Sequence, residues 1–426
     1  MHKRNILISA FAVCPPLPDG KIHPGSEYSC AWNLIKAIDE TDQFNLTILI
    51  GSSDRKFGSY ENLNYINLKN TEFVKVSQNS LGKVILKLLE FLRINPEYWL
   101  IWPFLLKQWN KAAFKKAILL CSQKKFDLVH QASPGGFKNP GYLWKLNIPS
   151  YWGPVYGLYY LDPRMALNQS FTYFLKCILT NILNFLTFRM RYVSQAAKHY
   201  DYICTGTTEA QEKFSNVYSR KTKIIYENAL NNLDEIQQNI NSKDKSSYEI
   251  LWCGSIDYRK NLRLFLDSLC DISTESIVAH IAGDGPNFQI MKDYYEEHIK
   301  NNTVADVIFH GHIPQDKLFK IMQNAHVLVF TTMADANTSA IFEALARGLI
   351  PITVDGHGFR SSLSYKNGIL VNVNNEYDKI SGDFRDAIEK LQDFSSREIY
   401  YQNIIQNAYK ISWEEMIERH KNIYFK

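Results

Sequence analysis

The sequence predicts an α/β protein built as two parallel-sheet halves, and three observations carry that prediction. The chain has 426 residues, too many for one ordinary core at about 100 to 200 residues per domain. Short β-rich runs alternate with helical patterns along both halves, and a single polar stretch at 231–249, NNLDEIQQNINSKDKSSYE, interrupts them. A hydrophobic fraction of 46% with only 14 prolines fits a folded globular protein and excludes disorder as the theme.

In chain order, the first-half strand candidates are NILISAF (5–11), NLTILIG (45–51), DLVHQA (127–132), SYWGPV (150–155), YICTG (202–206) and TKIIYE (222–227). Each is short, apolar and often β-branched, as strands covered on both faces are. Lys3 and Arg4 ahead of the first run imitate a short signal peptide, but the run is brief and lacks a small-x-small cleavage site, so it reads as a buried first strand. The polar stretch reads as a linker or small cap. Beyond it the alternation restarts with ILWCGS (250–255), IVAHIAGDG (277–285), VIFHGH (307–312), HVLVFTT (326–332), IPITV (350–354) and GILV (368–371). The closing segment SWEEMIERHKNIYFK (412–426) predicts a helix with Ser412 as N-cap and acidic residues in its first turn.

The net charge of +5 conceals an asymmetry. Residues 1–200 hold 24 Lys+Arg against 12 Asp+Glu, and residues 201–426 hold 24 against 31. Most of the basic excess lies at 81–200, with 16 basic and 4 acidic residues, which points that half toward an anionic surface. Within it, 83–120 mixes Trp99, Trp102 and Trp109 with recurring lysines. The segment 171–193 sets apolar residues at 171, 174, 175, 178, 182, 185 and 186, a helical stripe. Apolar faces flanked by Trp, Lys and Arg suit a membrane interface as well as a sheet. No run reaches the roughly 18 uninterrupted apolar residues of a membrane span. Seven scattered cysteines without a CxxC fit a reducing compartment and predict no metal site.

The most informative stretch is TTMADANTSAIFEALARGLIPITVDGHG (331–358). HVLVFTT delivers the chain to the carboxyl end of a strand, where open α/β sheets bind ligands. A helix then begins near Asn337 or Thr338 and ends before Gly348, a C-terminal cap. With no Glu or Gln three residues after the cap, the first amides are left for an anionic ligand such as phosphate. Glu343 lies about one and a half turns in, roughly 7 Å along the axis, placed to reach a diol beside that phosphate. Asp335, ahead of the helix, can hold hydroxyls on the other side. On spacing alone, the alternative is a pair of carboxylates that only complement the helix dipole.

These residues resemble the signature of the family 4 glycosyltransferases, retaining enzymes of the GT-B fold: two acidic residues separated by seven others, then EA.a.G.P.i, here DANTSAIFEALARGLIPI. CGSIDYRKNL (253–262) is similar to the family's phosphate-binding segment GR....K, with Gly254 and Lys260 in register. IAGDGP (281–286) and FHGHIPQDKL (309–318) look like the two segments that follow. In the first half, HPGSEYSCAWN resembles the family's glycine-containing loop after the first strand, and FDLVHQAS and YWGPVYG resemble paired elements of polysaccharide-building members.

The resemblance implies two Rossmann-like domains facing a deep cleft: an acceptor-side domain at 1–232, a nucleotide-sugar domain at 246–410, and a last helix, about 411–426, packed back on the first. It implies a UDP- or GDP-sugar donor and a saccharide or lipid-linked acceptor, with neither nucleic acid, metal nor cofactor. Lys260 would neutralise the diphosphate, with Gly254, Ser255 and Arg259 beside it. Gly25 would let the first loop approach the phosphates, and the amides of Ala336, Asn337, Thr338 and Ser339 would cradle them. Glu343 would bind ribose, and Asp335 and His130 would form the catalytic pair beside the transferred sugar. A backbone contact near Gly311 would meet the base, a better reading of the flanking His310 and His312 than a metal pair. The implied setting is the cytoplasm, with the chain peripheral on the inner face of the membrane.

This chain departs from the family pattern at three places. Ser255 stands where the family has Arg, Asp335 where it has Glu, and Tyr156 where it has Gly. Arg259 can replace the missing arginine only if its segment is not helical, since neighbouring helical side chains diverge. The departures leave open a non-catalytic relative that binds nucleotide sugar as a partner subunit. An NAD-type oxidoreductase is disfavoured, because GDGP lacks the third glycine of the dinucleotide fingerprint.

Overall fold

The computed structural model describes residues 3–11, 13, 15, 26–51, 68–93, 101–273, 277–335 and 339–426, with 26–28 as backbone only. Two all-parallel sheets organise them. The first contains β1 (Arg4–Ala10), β2 (Phe44–Gly51), β3 (Thr71–Val76), β4 (Leu128–Ser133), β5 (Ser150–Val155), β6 (Tyr202–Thr205) and β7 (Lys223–Ile224), in the order β3-β2-β1-β4-β5-β6-β7. The second contains β8 (Tyr248–Cys253), β9 (Ile277–Ala282), β10 (Asp306–Gly311), β11 (Val327–Phe330), β12 (Ile350–Val354) and β13 (Ile369–Val371), in the order β10-β9-β8-β11-β12-β13.

Every strand candidate of the sequence forms, with ends shifted by a few residues. Buried parallel strands need apolar groups on both faces, and β1 supplies them: Ile6 and Ile8 enter one core, Leu7 the other, and all three are buried. The strand that the pattern misses is β3, TEFVKV, whose only partner among the described residues is β2. As an edge strand it keeps Glu72 and Lys75, the kind of charge that blunts an edge. The polar stretch is not purely a linker either: Leu233–Asn241 is a helix that buries Ile236 and Ile240, one turn apart.

Both sheets reverse strand order beside their first strand, between β1 and β4 and between β8 and β11. The loops leaving such neighbours run in opposite directions and open a crevice at the strand ends. The halves face one another across these crevices. Tyr173 stacks on Tyr258 at 5.5 Å, the Arg263 guanidinium donates to the Asn168 carbonyl, and Arg164 donates to the Val373 and Asn374 carbonyls at 3.3 Å each.

The final helix, Trp413–Tyr424, crosses back to the first sheet. The Leu230 N–H donates to the Ile411 carbonyl (2.9 Å) and the Trp413 N–H to the Leu230 carbonyl (3.1 Å). Ser412 caps the helix by accepting from the Glu415 N–H at 3.2 Å, with Glu414 and Glu415 in the first turn.

One helix among the described residues, Phe171–Arg189, is long and apolar enough to cross a membrane. Lys176 and several Thr and Asn residues interrupt its apolar run, so a test for uninterrupted apolar residues passes over it.

Candidate active site

A cleft of about 810 Å³ opens at the β8/β11 crossover and is closed from the other side by Tyr156, Tyr159, Glu227 and Asn228 of the first half. The fold dictates which residues arrive there. Gly254 and Ser255 follow β8 directly, Lys260 ends the turn beyond them, and Asp335 follows β11.

The 257–260 segment is a turn, not a helix. The Lys260 N–H donates to Asp257 Oδ1 at 3.0 Å, and Asn261 then takes a left-handed φ of 51° as cap of the helix Leu262–Ser268. The side chains of Arg259 and Lys260 therefore converge instead of diverging. Lys260 Nζ lies 2.5 Å from Asp335 Oδ2 and 4.5 Å from the Phe330 ring centroid. Arg259 Nη1 lies 3.6 Å from the same carboxylate oxygen and donates to the Ala334 carbonyl at 3.0 Å. Two cations thus meet at Asp335 in the cleft that Ser255 also lines.

The helix Ser339–Ala346 forms the next wall. Gly348 takes a left-handed φ of 69°, and the Leu349 N–H reaches back to the Ala344 carbonyl at 2.9 Å, closing the helix as its sequence predicts. Ser339 and Glu343 both line the cleft. Burial pushes the Glu343 carboxyl above the usual carboxylate range, against a hydrogen bond from Ser339 and the nearby Arg347 guanidinium. Cys253 lies beside it, and its thiol is pushed up to about 12 by burial and by the Glu343 charge, which leaves it no thiolate character at neutral pH. Gly25, Ala336, Asn337 and Thr338 lie outside the described residues.

Two expected site residues are not among those lining the cleft. Gly311 does not line the cleft. Its carbonyl accepts the Gly283 N–H (2.9 Å), its left-handed φ of 64° turns the strand end, and His312 and Ile313 line the wall in its stead. His310 instead pairs with His280 at 2.9 Å, and His280 with Glu249 at 3.1 Å.

His130 lies deeper. It is fully buried; its Nδ1 is 2.7 Å from Tyr424 Oη and its Nε2 is 2.7 Å from the Gly153 carbonyl. A carbonyl only accepts, so Nε2 carries the proton and Nδ1 accepts from the tyrosine. The ring stacks on Tyr151 at 4.1 Å, with His420 5.9 Å away. His130 anchors the final helix to the first sheet and is not among the residues that line the cleft. The strand first reaches open space two residues later, where Ala132 and Ser133 line a recess that shares Tyr156 and Glu227 with the cleft.

Burial pushes the His130 imidazole down to about 3, only partly opposed by the Gly153 carbonyl. With the folded value below the ordinary 6.5, the unfolded chain takes up the proton first, so stability falls as pH drops from about 6.5 toward 3, by up to about 1.4 kcal/mol per pH unit. His420, also buried and held down by burial and then by His130, steepens the fall. His130→Phe should cost about 3 kcal/mol at pH 7 by leaving two buried groups unpaired, and should flatten the pH dependence. Denaturant titrations at pH 7 and pH 5 check both.

Residues that sequence reasoning missed come mainly from the opposite half. Tyr159 faces Asp335, and its phenol is pushed up to about 12 by burial and then by that carboxylate. His357 meets the Tyr159 ring edge-on at 5.3 Å, holds a left-handed φ of 56°, and is pushed down to about 4 by burial. A non-glycine residue between Gly356 and Gly358 in DGHGF was the one local signal for it. Among the described residues, no group of three or more His, Cys, Asp or Glu is placed to hold a metal ion.

Residues 234–411, which include all six strands of the second sheet, match the family described as glycosyl transferases group 1. No curated protein matches the chain. Three solved structures show the same fold over the whole length. The lipopolysaccharide outer core galactosyltransferase WaaB, in apo form, superposes with a TM-score of 0.63 at 14% identity, covering 99% of both chains. Sucrose-phosphate synthase from Thermosynechococcus elongatus gives 0.64 at 14% identity, covering 99% of this chain and 98% of that one. HepE from Anabaena, in complex with UDP and glucose, gives 0.55 at 13% identity, covering 98% of each. The architecture is GT-B, with two Rossmann-like parallel-sheet domains facing a cleft.

Proposed function

We propose that this protein is a retaining glycosyltransferase of family 4 that moves a sugar from a UDP- or GDP-sugar to a saccharide or lipid-linked acceptor in the building of a surface polysaccharide, capsule or lipopolysaccharide. The observation that carries the reading is the convergence of Lys260 and Arg259 at the β8/β11 crossover, in a cleft whose far wall belongs to the other half. Glycosyl transfer passes through an oxocarbenium-like state while negative charge grows on the departing phosphate, so cations fixed at that phosphate favour the transition state over the ground state. Lys260 and Arg259 supply them. Glu343 takes the ribose hydroxyls from the helix behind, and Asp335 the hydroxyls of the sugar. The donor is held on 246–410 and the acceptor on 1–232. WaaB is named for lipopolysaccharide and HepE was captured with UDP and glucose, which supports this donor and pathway class. A thermal-shift screen of UDP- and GDP-sugars on the wild type, Lys260→Ala and Glu343→Ala tests it: stabilisation by one nucleotide series that both substitutions reduce supports the assignment, and none from either series refutes it.

The acceptor side works on an anionic membrane surface in this reading. Between Asp162 and Asp201 the chain has Arg164, Lys176, Arg189, Arg191 and Lys198 and no carboxylate. On the helix Phe171–Arg189, the side chains of Phe171, Leu175, Leu179, Ile182, Phe185 and Leu186 are exposed. The other side is tied down: Tyr173 stacks on Tyr258, Asn181 brackets the Leu161 backbone at 3.0 and 2.7 Å, and Cys177 and Phe188 are buried. A helix held along one side lies in a membrane interface and does not cross it. The wild type should sediment with phosphatidylglycerol vesicles, and Leu175→Glu/Ile182→Glu/Leu186→Glu should weaken that binding at least about tenfold, since charged groups are costly at apolar depth. Equal binding by the triple variant counts against this face.

A further inference from the structure

We infer that Asp335 is the resident counter-ion of the phosphate-binding cations and is exchanged for the donor's diphosphate when the donor enters. This rests on the nucleotide-sugar reading above. A single carboxylate oxygen, Asp335 Oδ2, receives both Lys260 Nζ at 2.5 Å and Arg259 Nη1 at 3.6 Å. The cations are held from behind by groups other than Asp335. Lys260 is 8% exposed, lies over the Phe330 ring at 4.5 Å and has its backbone fixed by Asp257. Arg259 donates to the Ala334 carbonyl at 3.0 Å and reaches Asp257 Oδ2 at 3.8 Å.

The four charged groups, Lys260, Arg259, Asp257 and Asp335, sum to zero. An arriving diphosphate would therefore meet a neutral cluster, although the same two cations are the groups that must bind it. Carboxylate and phosphate oxygens make the same charge-assisted bonds to ammonium and guanidinium. Phosphate oxygens can thus replace Asp335 Oδ2 without moving either cation. The exchange has a second consequence. A carboxylate drawn onto Lys260 and Arg259 is held in their direction, so phosphate capture releases Asp335 to turn toward the transferred sugar. The two halves of donor recognition become one coupled event.

Removing the counter-ion should improve anion binding and impair transfer. Inorganic pyrophosphate and UDP, neither carrying a sugar to be transferred, are titrated calorimetrically into the full chain as wild type, Asp335→Asn and Asp335→Ala. Both variants should bind both ligands about tenfold more tightly or better, since no bound carboxylate has to be expelled, while sugar transfer falls. Thermal unfolding confirms that the variants fold, and the smaller Ala side chain answers for any distortion by Asn. Pyrophosphate affinity that is unchanged or weaker in both folded variants overturns the exchange, as that result means Asp335 touches the sugar alone. Tighter pyrophosphate binding in the variants, with no affinity of any form for UDP- or GDP-sugars, upholds the exchange and removes the donor assignment.

Discussion

Lys260→Ala should lower kcat/KM for sugar transfer about 10²- to 10³-fold, the usual effect of deleting one fixed donor aimed at developing charge, with the folded state retained. The size of the effect follows from where the ammonium is held. The side chain of Lys260 is 10% exposed and stands against Phe330, so its field at the leaving phosphate is weakly screened by water. Arg259, whose side chain is 41% exposed, remains to bind the nucleotide but is better screened. The loss should therefore appear mainly in kcat, because the interaction strengthens as the glycosidic bond breaks, and less in KM. Stability should change little, since Asp335 keeps Arg259 as a partner and is not left as an isolated buried charge. Steady-state rates with the donor identified by thermal shift check the split. A variant with wild-type kcat would mean that Lys260 does not touch the phosphate.

What the sequence made legible, and what it hid, divides along the same physical line. Strands covered on both faces must be continuous apolar runs, so β1 and β11 were plain, whereas β3 keeps Glu72 and Lys75 at an exposed edge and was not. The crossover loops could be anticipated because a ligand site follows from strand order, and both Lys260 and Asp335 arrive where that rule puts them. Arg259 required the turn at 257–260, which depends on the Asp257 side chain accepting from the Lys260 N–H three residues on and is invisible to periodicity. His130 shows the opposite case. Its place near a strand end suggested a site, but the residues that claim both ring nitrogens are Gly153 and Tyr424, the second of them 294 positions away. Tyr159 and Glu227 reach the cleft only because the two halves face each other, a relation that no local pattern encodes.

Gly283→Ala should be the most damaging single-methyl change in the second half. At the ends of β8, β9 and β10, three glycines interlock: the Gly254 N–H donates to the Ala282 carbonyl (3.1 Å) and the Gly283 N–H to the Gly311 carbonyl (2.9 Å). Gly283 has a φ of 157°, and a Cβ there would stand 1.8 Å from the Gly254 carbonyl oxygen. No rotamer relieves that overlap, because the obstructing atom is backbone. The β8 loop would have to move, and it carries Ser255 and leads to Lys260. We expect a loss of about 3 kcal/mol or more, seen as a Tm lower by about 10 °C, together with weakened UDP binding in whatever remains folded. Gly311→Ala is the control: its φ of 64° is also left-handed, but a Cβ there meets nothing within 4 Å, so it should cost only about 1 kcal/mol of backbone strain. Equal effects of the two substitutions would mean that strain, not the contact between the two strand ends, sets the demand for glycine. A selective loss of UDP binding in Gly283→Ala would show that the backbone packing of these strand ends is what holds Lys260 at the phosphate.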